Sequence, residues 1–172
     1  MREAPSSGTA LFWSGEKAMD LARNLKIESV SRLQPSPPWH VQPTDPVAVA
    51  LTLMREKSTG CVLVCLQDRL VGVFTERDLM RRVLALGKPL STPVLECMTP
   101  DPVSVDPKDS IGNAVRKMEE GGYRHLPVVA GGKAVGLLSV KRIVHYLVEH
   151  FPSTVYNLPP DPGAVQVNRE GA

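Results

Sequence analysis

The sequence repeats itself once at an offset of 64 residues, and this duplication constrains the fold more than any other feature. Residues 38–80 align with residues 102–144 without a gap, and ten of the 43 aligned positions are identical. Average composition would give only about three identities by chance. The chain is therefore expected to form the same small structural unit twice.

Each copy predicts the same order of elements, β-α-β-β-α. After a short extended piece, the spacing of apolar residues predicts an amphipathic helix, with its stripe at positions 47, 50, 51 and 54 and again at positions 111, 114, 115 and 118. Paired apolar runs then predict a hairpin in each copy, Cys61–Leu66 with Leu70–Phe74 and Leu126–Ala130 with Ala134–Leu138. The second helix of each copy carries Leu79, Val83 and Leu86 or, at the equivalent positions, Ile143, Leu147 and His150.

One such unit buries too little apolar surface to be stable alone, so the two copies should pack together as one module with an α/β (α+β) fold. We assign repeat 1 to residues 34–90 and repeat 2 to residues 91–150. Residues 1–33 are expected to form an N-terminal extension that is helical over Ser14–Leu33. Residues 151–172 contain four prolines and are expected to form an extended C-terminal tail.

Composition narrows the class of protein. A net charge of +2 is too small to indicate nucleic acid or an anionic membrane as a partner. No apolar run is long enough to cross a membrane, and the amino terminus lacks the apolar stretch of a signal peptide. Three cysteines, an odd number, argue against a disulfide framework, and we interpret Cys61 and Cys65 as small core residues. The cytoplasm is the expected location.

Three local patterns resemble the cystathionine-β-synthase (CBS) domain family. They are the junction Gly72-Val-Phe-Thr75-Glu-Arg-Asp78, the run Tyr123-Arg124-His125-Leu-Pro127-Val-Val129, and Cys97-Met98-Thr99-Pro100 followed by Val103-Ser-Val105. The likeness covers about residues 34–150. It implies two tandem CBS repeats that pack with pseudo-two-fold symmetry and leave clefts between them.

The resemblance also implies roles for particular residues in holding an adenosine compound. Thr75 and Asp78 would hold the ribose, and backbone groups near Val41, in the first extended piece, would help to enclose the base. Arg124 and His125, just before the second hairpin, would reach the phosphates. Without the resemblance, Thr75-x-x-Asp78 ahead of an apolar helical run predicts a helix-capping box, which can coexist with a ligand. Arg124 and His125 would then be a solvated start of a strand.

The second copy departs from the family pattern at this junction. Ser139 stands where Thr75 does, but Arg142 replaces the acid, and a guanidinium cannot accept a hydrogen bond from a ribose hydroxyl. A cation is also unfavourable at a helix amino terminus. Either Arg142 reaches away to solvent or an anion offsets its charge, and the two clefts are not expected to be equivalent.

Other candidate sites have simpler interpretations. Gly131-Gly132 lies between two strands, where a hairpin turn explains it better than a phosphate loop. His40, His145 and His150 have no metal-ligand spacing. No nucleophile is arranged beside a base and an orienting acid. We therefore expect no metal, no required cofactor and no catalysis.

The leading functional interpretation is a regulatory, ligand-sensing module that binds an adenine nucleotide such as AMP, ADP or ATP. The occupied cleft would shift the packing of the repeats, and a regulated partner protein of unknown identity would respond. The alternative is a dimerisation or interaction module without a ligand. A homodimer is expected in either case, because a surplus of apolar residues extends the second helices beyond a single stripe, namely Met80, Leu84, Val144 and Val148.

Overall fold

The computed structural model describes residues 15–156, whose strands form a single mixed sheet in the order β1-β2-β3-β6-β5, with β4 against β3. The strands are β1 (His40–Val41), β2 (Cys61–Leu66), β3 (Arg69–Thr75), β4 (Thr99–Pro100), β5 (His125–Ala130) and β6 (Lys133–Ser139). The helices are α1 (Gly15–Ile27), α2 (Val47–Glu56), α3 (Glu76–Asp78), α4 (Ile111–Gly121), α5 (Val140–His150) and α6 (Pro152–Tyr156). Val30–Leu33 and Val94–Glu96 are 3-10 helices, and Leu79–Leu84 is a π-helical continuation of α3.

The strands of the two copies pair in the same register, at positions 64 residues apart. β1 pairs in parallel with β2 through Val41 and Val64, and the equivalent residues Val105 and Val128 form a parallel bridge in the second copy. Both hairpins shift register at the same place, after Val64 and after Val128. The two copies are therefore built alike, as the duplication predicts.

The leading segments of the two repeats cross over. Thr99, near the start of repeat 2, pairs with Val73 on β3 of repeat 1. Ser36, near the start of repeat 1, pairs with Leu137 on β6 of repeat 2. The crossover carries the leading segment of repeat 2, residues 99–103, to the end of β3 where α3 begins.

Gly72 and Gly136, which occupy equivalent positions in the two copies, make this crossover possible. A Cβ on Gly72 would overlap the Met98 sulfur and lie 3.0 Å from the carbonyl oxygen of Thr99. A Cβ on Gly136 would lie 3.2 Å from the carbonyl oxygen of Ser36. Any larger residue would push the leading segment of the other repeat off the sheet, which explains why the two copies share this residue.

The predicted apolar stripes form two cores, one in each repeat. Val47, Ala50 and Met54 of α2 are buried against Phe74, and their counterparts on α4 are buried in the core around Leu138. A third buried cluster joins residues of both repeats, namely Cys61, Leu63, Cys65, Val73 and Leu137. The interpretation of Cys61 and Cys65 as core residues is confirmed, and the shared cluster makes the repeats one module.

The predicted helix over Ser14–Leu33 is interrupted. Helix α1 ends at Ile27, and a 3-10 helix follows after Ser29, which is extended. The carbonyl of Glu28 accepts the N–H of Ile111, and the N–H of Val30 donates to Asp109. Because α4 uses these groups, the helix cannot continue through them. Ser14 lies outside the described residues.

His150 lies at the end of α5, as predicted, and stacks there on the buried Tyr146. Two further local predictions are wrong. Leu86 lies beyond the π-helical turn and is exposed, because the helix ends before it. Pro152–Tyr156 form helix α6 instead of an extended tail, since proline is acceptable in the first turn of a helix. Residues 157–172 lie outside the described part of the chain.

Candidate functional site

A cavity of about 270 Å³ opens where the crossover brings the two repeats together. Its floor is the junction between β3 and α3, and the leading segment of repeat 2 and the start of β5 form its walls. The lining side chains that can form hydrogen bonds or carry charge are Thr75, Glu76, Arg77, Asp78, Thr99, Asp101, Tyr123, Arg124 and His125. Four predicted site residues, Thr75, Asp78, Arg124 and His125, are therefore brought together.

Asp78 and Thr75 form a reciprocal cap at the start of α3. The Thr75 N–H and hydroxyl donate to Oδ2 of Asp78 at 3.0 and 2.7 Å, and the Asp78 N–H donates to the Thr75 hydroxyl at 3.2 Å. The capping box predicted from the sequence is therefore confirmed. Since Asp78 also lines the cavity, its capping role does not remove it from the candidate site.

The second oxygen of Asp78 connects the cavity to the segment between the repeats. Oδ1 accepts the Thr99 hydroxyl at 3.1 Å and lies 3.5 Å from the guanidinium of Arg82. The same guanidinium donates to the backbone carbonyls of Cys97, at 3.4 Å, and Met98. A carboxylate has about four acceptor positions, so these partners occupy Asp78 fully. A ligand hydroxyl must therefore displace one of the partners of Oδ1.

Sequence reasoning missed Thr99 and Arg82 as parts of this site. Thr99 lies 21 residues from Asp78, and the crossover that joins them has no local sequence signal. For Arg82, the i, i+4 spacing to Asp78 was a usable signal for an ion pair on one helix face.

Arg124 and His125 form the opposite wall. Arg124 is exposed, and His125 is half-buried at the start of β5. Burial lowers the pKa of His125, the Arg124 charge lowers it further, and Glu76 opposes both. The imidazole is therefore largely uncharged at neutral pH and offers one N–H donor, while Arg124 retains its charge.

Apolar groups complete the cavity. Cys61, Val73, Val103, Tyr123 and Pro127 line it beside the polar residues. Burial raises the pKa of the Cys61 thiol to about 12, and the Asp78 charge acts in the same direction. The thiol is therefore protonated at neutral pH and contributes a small apolar surface.

Val41 does not belong to this cavity. It is 4% exposed and packs in the core of repeat 1, where β1 pairs with β2. Residues 99–103 line the cavity of Asp78 instead, and a role for the first extended piece in enclosing a base stays a prediction.

Ser139 and Arg142 are also separate from the cavity of Asp78. The Ser139 hydroxyl accepts the Arg142 N–H at 3.3 Å and caps α5. Arg142 lines a different cavity with residues of α5, with Arg32 of the N-terminal extension and with Gln34 at the start of repeat 1. Among the described residues, no acid lies within ion-pair distance of Arg142, and the two junctions differ as expected.

Residues 15–156 carry neither a metal-binding cluster nor a membrane-spanning helix. No cluster of His, Cys, Asp and Glu in this part of the chain could hold a metal ion. None of the helices described there is long and apolar enough to cross a membrane.

Comparison with known proteins assigns both repeats to one family. The model of the CBS domain matches residues 30–85 and 94–149. The CBS domain-containing protein CBSCBSPB1 of Arabidopsis thaliana is 36% identical over 110 residues, which cover 63% of this chain and 20% of that protein. This chain thus spans about a fifth of the length of the Arabidopsis relatives it matches.

Solved structures with the same fold include two complexes with AMP. The CBS domain protein PAE2072 of Pyrobaculum aerophilum, complexed with AMP, has a TM-score of 0.64 and 26% identity over 71% of this chain and 99% of that one. CBSX2 in complex with AMP has a TM-score of 0.61 and 29% identity over 70% of this chain and 96% of that one.

Proposed function

Since this chain belongs to the CBS domain family, we propose that it is a regulatory module whose cavity beside Asp78 binds an adenine nucleotide and signals its occupancy to a partner. The likeness to two AMP complexes supports the class of ligand. Catalysis is no part of the proposal. The three buried, free cysteines suit a reducing compartment, and we place the proposed function in the cytoplasm.

The single observation that carries the proposal is the position of Asp78. Its carboxylate lines a partly apolar cavity and holds the exchangeable hydroxyl of Thr99 on Oδ1, while Arg124 stands on the opposite wall. A ribose hydroxyl can replace the Thr99 hydroxyl with the same hydrogen-bond geometry. The apolar wall then accepts the base, and Arg124 reaches a phosphate.

The contacts of Arg82 suggest how occupancy is transmitted. Arg82 links Asp78 to the carbonyls of Cys97 and Met98, in the segment between the repeats. A ligand that bonds to Oδ1 competes with Arg82 for the same oxygen. It would shift this segment only to the extent that it binds one arrangement of Arg82 more tightly than the other. A partner that contacts the segment could respond to that shift.

A thermal-shift panel with AMP, ADP, ATP, NAD and S-adenosylmethionine tests the proposal. A ligand at a hundredfold excess over its dissociation constant stabilises the native state by about 2.7 kcal/mol, or about 5–10 °C in Tm for a chain of this size. We expect AMP to produce such a shift and calorimetry to give one site per chain. GMP is the matched control for recognition of the base. No shift with any adenosine compound at millimolar concentration would contradict the proposal.

A homodimer is a second proposed property, and it rests on the exposed faces of the second helices. Met80 is 60% exposed, Leu84 is 53% exposed and Val144 is 51% exposed, whereas Val148 is half-buried. Exposed apolar residues on the second helix of each repeat favour a protein partner over water. A second copy presents the same surface and is therefore a suitable partner.

The dimer is tested by light scattering at tens of micromolar chain. We expect the native protein to have the mass of two chains, and Met80→Glu combined with Leu84→Glu to have the mass of one, because burying two carboxylates in an apolar interface is strongly unfavourable. Leu66→Glu, at a similarly exposed apolar position on β2, is the control and should remain dimeric. A native monomer would contradict the prediction.

A further inference from the structure

Glu76 places a negative charge inside the cavity on the side where phosphates would lie. It is the first residue of α3 and lines the cavity together with Arg124 and His125. Its Oε2 atom comes within 3.0 Å of the position that a Cβ on Gly60 would occupy. The carboxylate also acts electrostatically on His125, where it opposes the lowering of the imidazole pKa. Glu76 therefore lies beside Gly60 and close enough to His125 for its charge to act on the imidazole.

Glu76 forms no ion pair within the part of the chain that the structure describes. Among the described residues, no Lys, Arg or His nitrogen lies within ion-pair distance of its carboxylate, whereas Asp78 is paired with Arg82. The remaining charged groups of the lining are Arg77, Arg124 and Asp101. The unpaired charges of the lining are therefore two positive, on Arg77 and Arg124, and two negative, on Glu76 and Asp101. This balance suits a ligand of low charge and leaves no excess of positive charge for a triphosphate.

We infer that Glu76 limits the charge of the ligand, so that the cavity accepts adenosine with one phosphate in preference to adenosine with three. The inference rests on the proposed function of the cavity and assigns it a selectivity. Glu76 acts on the ligand through space, because its charge repels each additional phosphate. We take the carboxylate and the phosphates to be separated by somewhat more than contact distance in a water-like medium. The repulsion then weakens binding about threefold for each added unit of negative charge on the ligand.

Calorimetry with adenosine, AMP and ATP, all without Mg²⁺ and at fixed ionic strength, tests the inference on the full chain. The native protein should bind AMP about tenfold more tightly than ATP. Glu76→Gln keeps the size of the side chain and removes its charge. We expect this change to strengthen AMP binding about ninefold and ATP binding about eightyfold, and to leave adenosine binding unchanged, so that the preference for AMP is lost. The gain for ATP should shrink as salt is raised, because salt screens the repulsion.

Glu149→Gln on α5 changes the net charge equally but lies outside the lining of this cavity, so it should leave all three affinities unchanged. The inference would be overturned if Glu76→Gln raised the affinities for adenosine and ATP equally, or if it lowered the affinity for every ligand. The same holds if the native protein binds ATP as tightly as AMP. These outcomes leave the proposed function intact, whereas a native protein that binds none of the three ligands contradicts the proposed function itself.

Discussion

Asp78→Asn is expected to weaken AMP binding by about ten- to a hundredfold. The substitution keeps the shape of the side chain but replaces one carboxylate oxygen by an NH₂ group, which cannot accept a ribose hydroxyl. A hydrogen bond to a charged acceptor contributes about 1.5–3 kcal/mol, and this range sets the expected loss of affinity. Calorimetry on folded protein measures it directly.

The same substitution should also lower the free energy of unfolding, because Asp78 caps α3 and pairs with Arg82. Thr75→Ala separates the two effects. It removes the hydroxyl that caps the helix, at a cost of about 1 kcal/mol, but keeps the carboxylate of Asp78 in the cavity. We expect Thr75→Ala to lower Tm with a much smaller loss of AMP affinity than Asp78→Asn causes.

The equivalent position of the second repeat supplies the control. Arg142→Ala should leave AMP affinity unchanged, because Arg142 lies outside the cavity of Asp78. Arg142→Asp restores the acid of the family pattern and could create a second, weaker site per chain. If Asp78→Asn binds AMP as the native protein does, Asp78 is a helix cap and the ribose role assigned to it is wrong.

Much of the fold can be predicted from the repeat, because both copies place apolar residues at equivalent positions of their helices and strands. The α2 and α4 stripes are predicted by spacing alone, since a helix buries one face whatever surrounds it. The hairpins follow from short apolar runs around polar turns. Gly72 and Gly136 are identical for a reason that the sequence alone does not give. Each allows a segment of the other repeat to lie against its strand.

The site was predictable only where its residues are close in sequence. Thr75 and Asp78 form a local motif with a known geometry, and the structure has it as predicted. The sequence did not predict that Val41 lies outside this cavity, because a local pattern cannot say which repeat a leading segment joins. The crossover brings Thr99 to the cavity instead. Long-range pairing of this kind depends on the packing of the whole module.

Phe74→Ala is expected to destabilise the whole module and not just repeat 1. Phe74 is fully buried in the core of repeat 1, and removal of a buried phenyl ring costs about 3–5 kcal/mol because a cavity remains. Leu138 occupies the equivalent position in repeat 2, and Leu138→Ala should cost about 2–5 kcal/mol. Either loss is a large part of the stability of an ordinary domain.

Because Leu63 and Val73 of repeat 1 pack with Leu137 of repeat 2, neither repeat can unfold without exposing apolar surface of the other. Chemical denaturation at fixed protein concentration should therefore give one transition for each variant, with a lower midpoint than that of the native protein. Far-UV circular dichroism and tryptophan fluorescence should report the same transition. Leu66→Ala, at an exposed position of β2, should change the unfolding free energy by no more than about 0.5 kcal/mol. Two separate transitions in Phe74→Ala, one at the native midpoint, would mean that the repeats fold independently and that the shared cluster does not couple them.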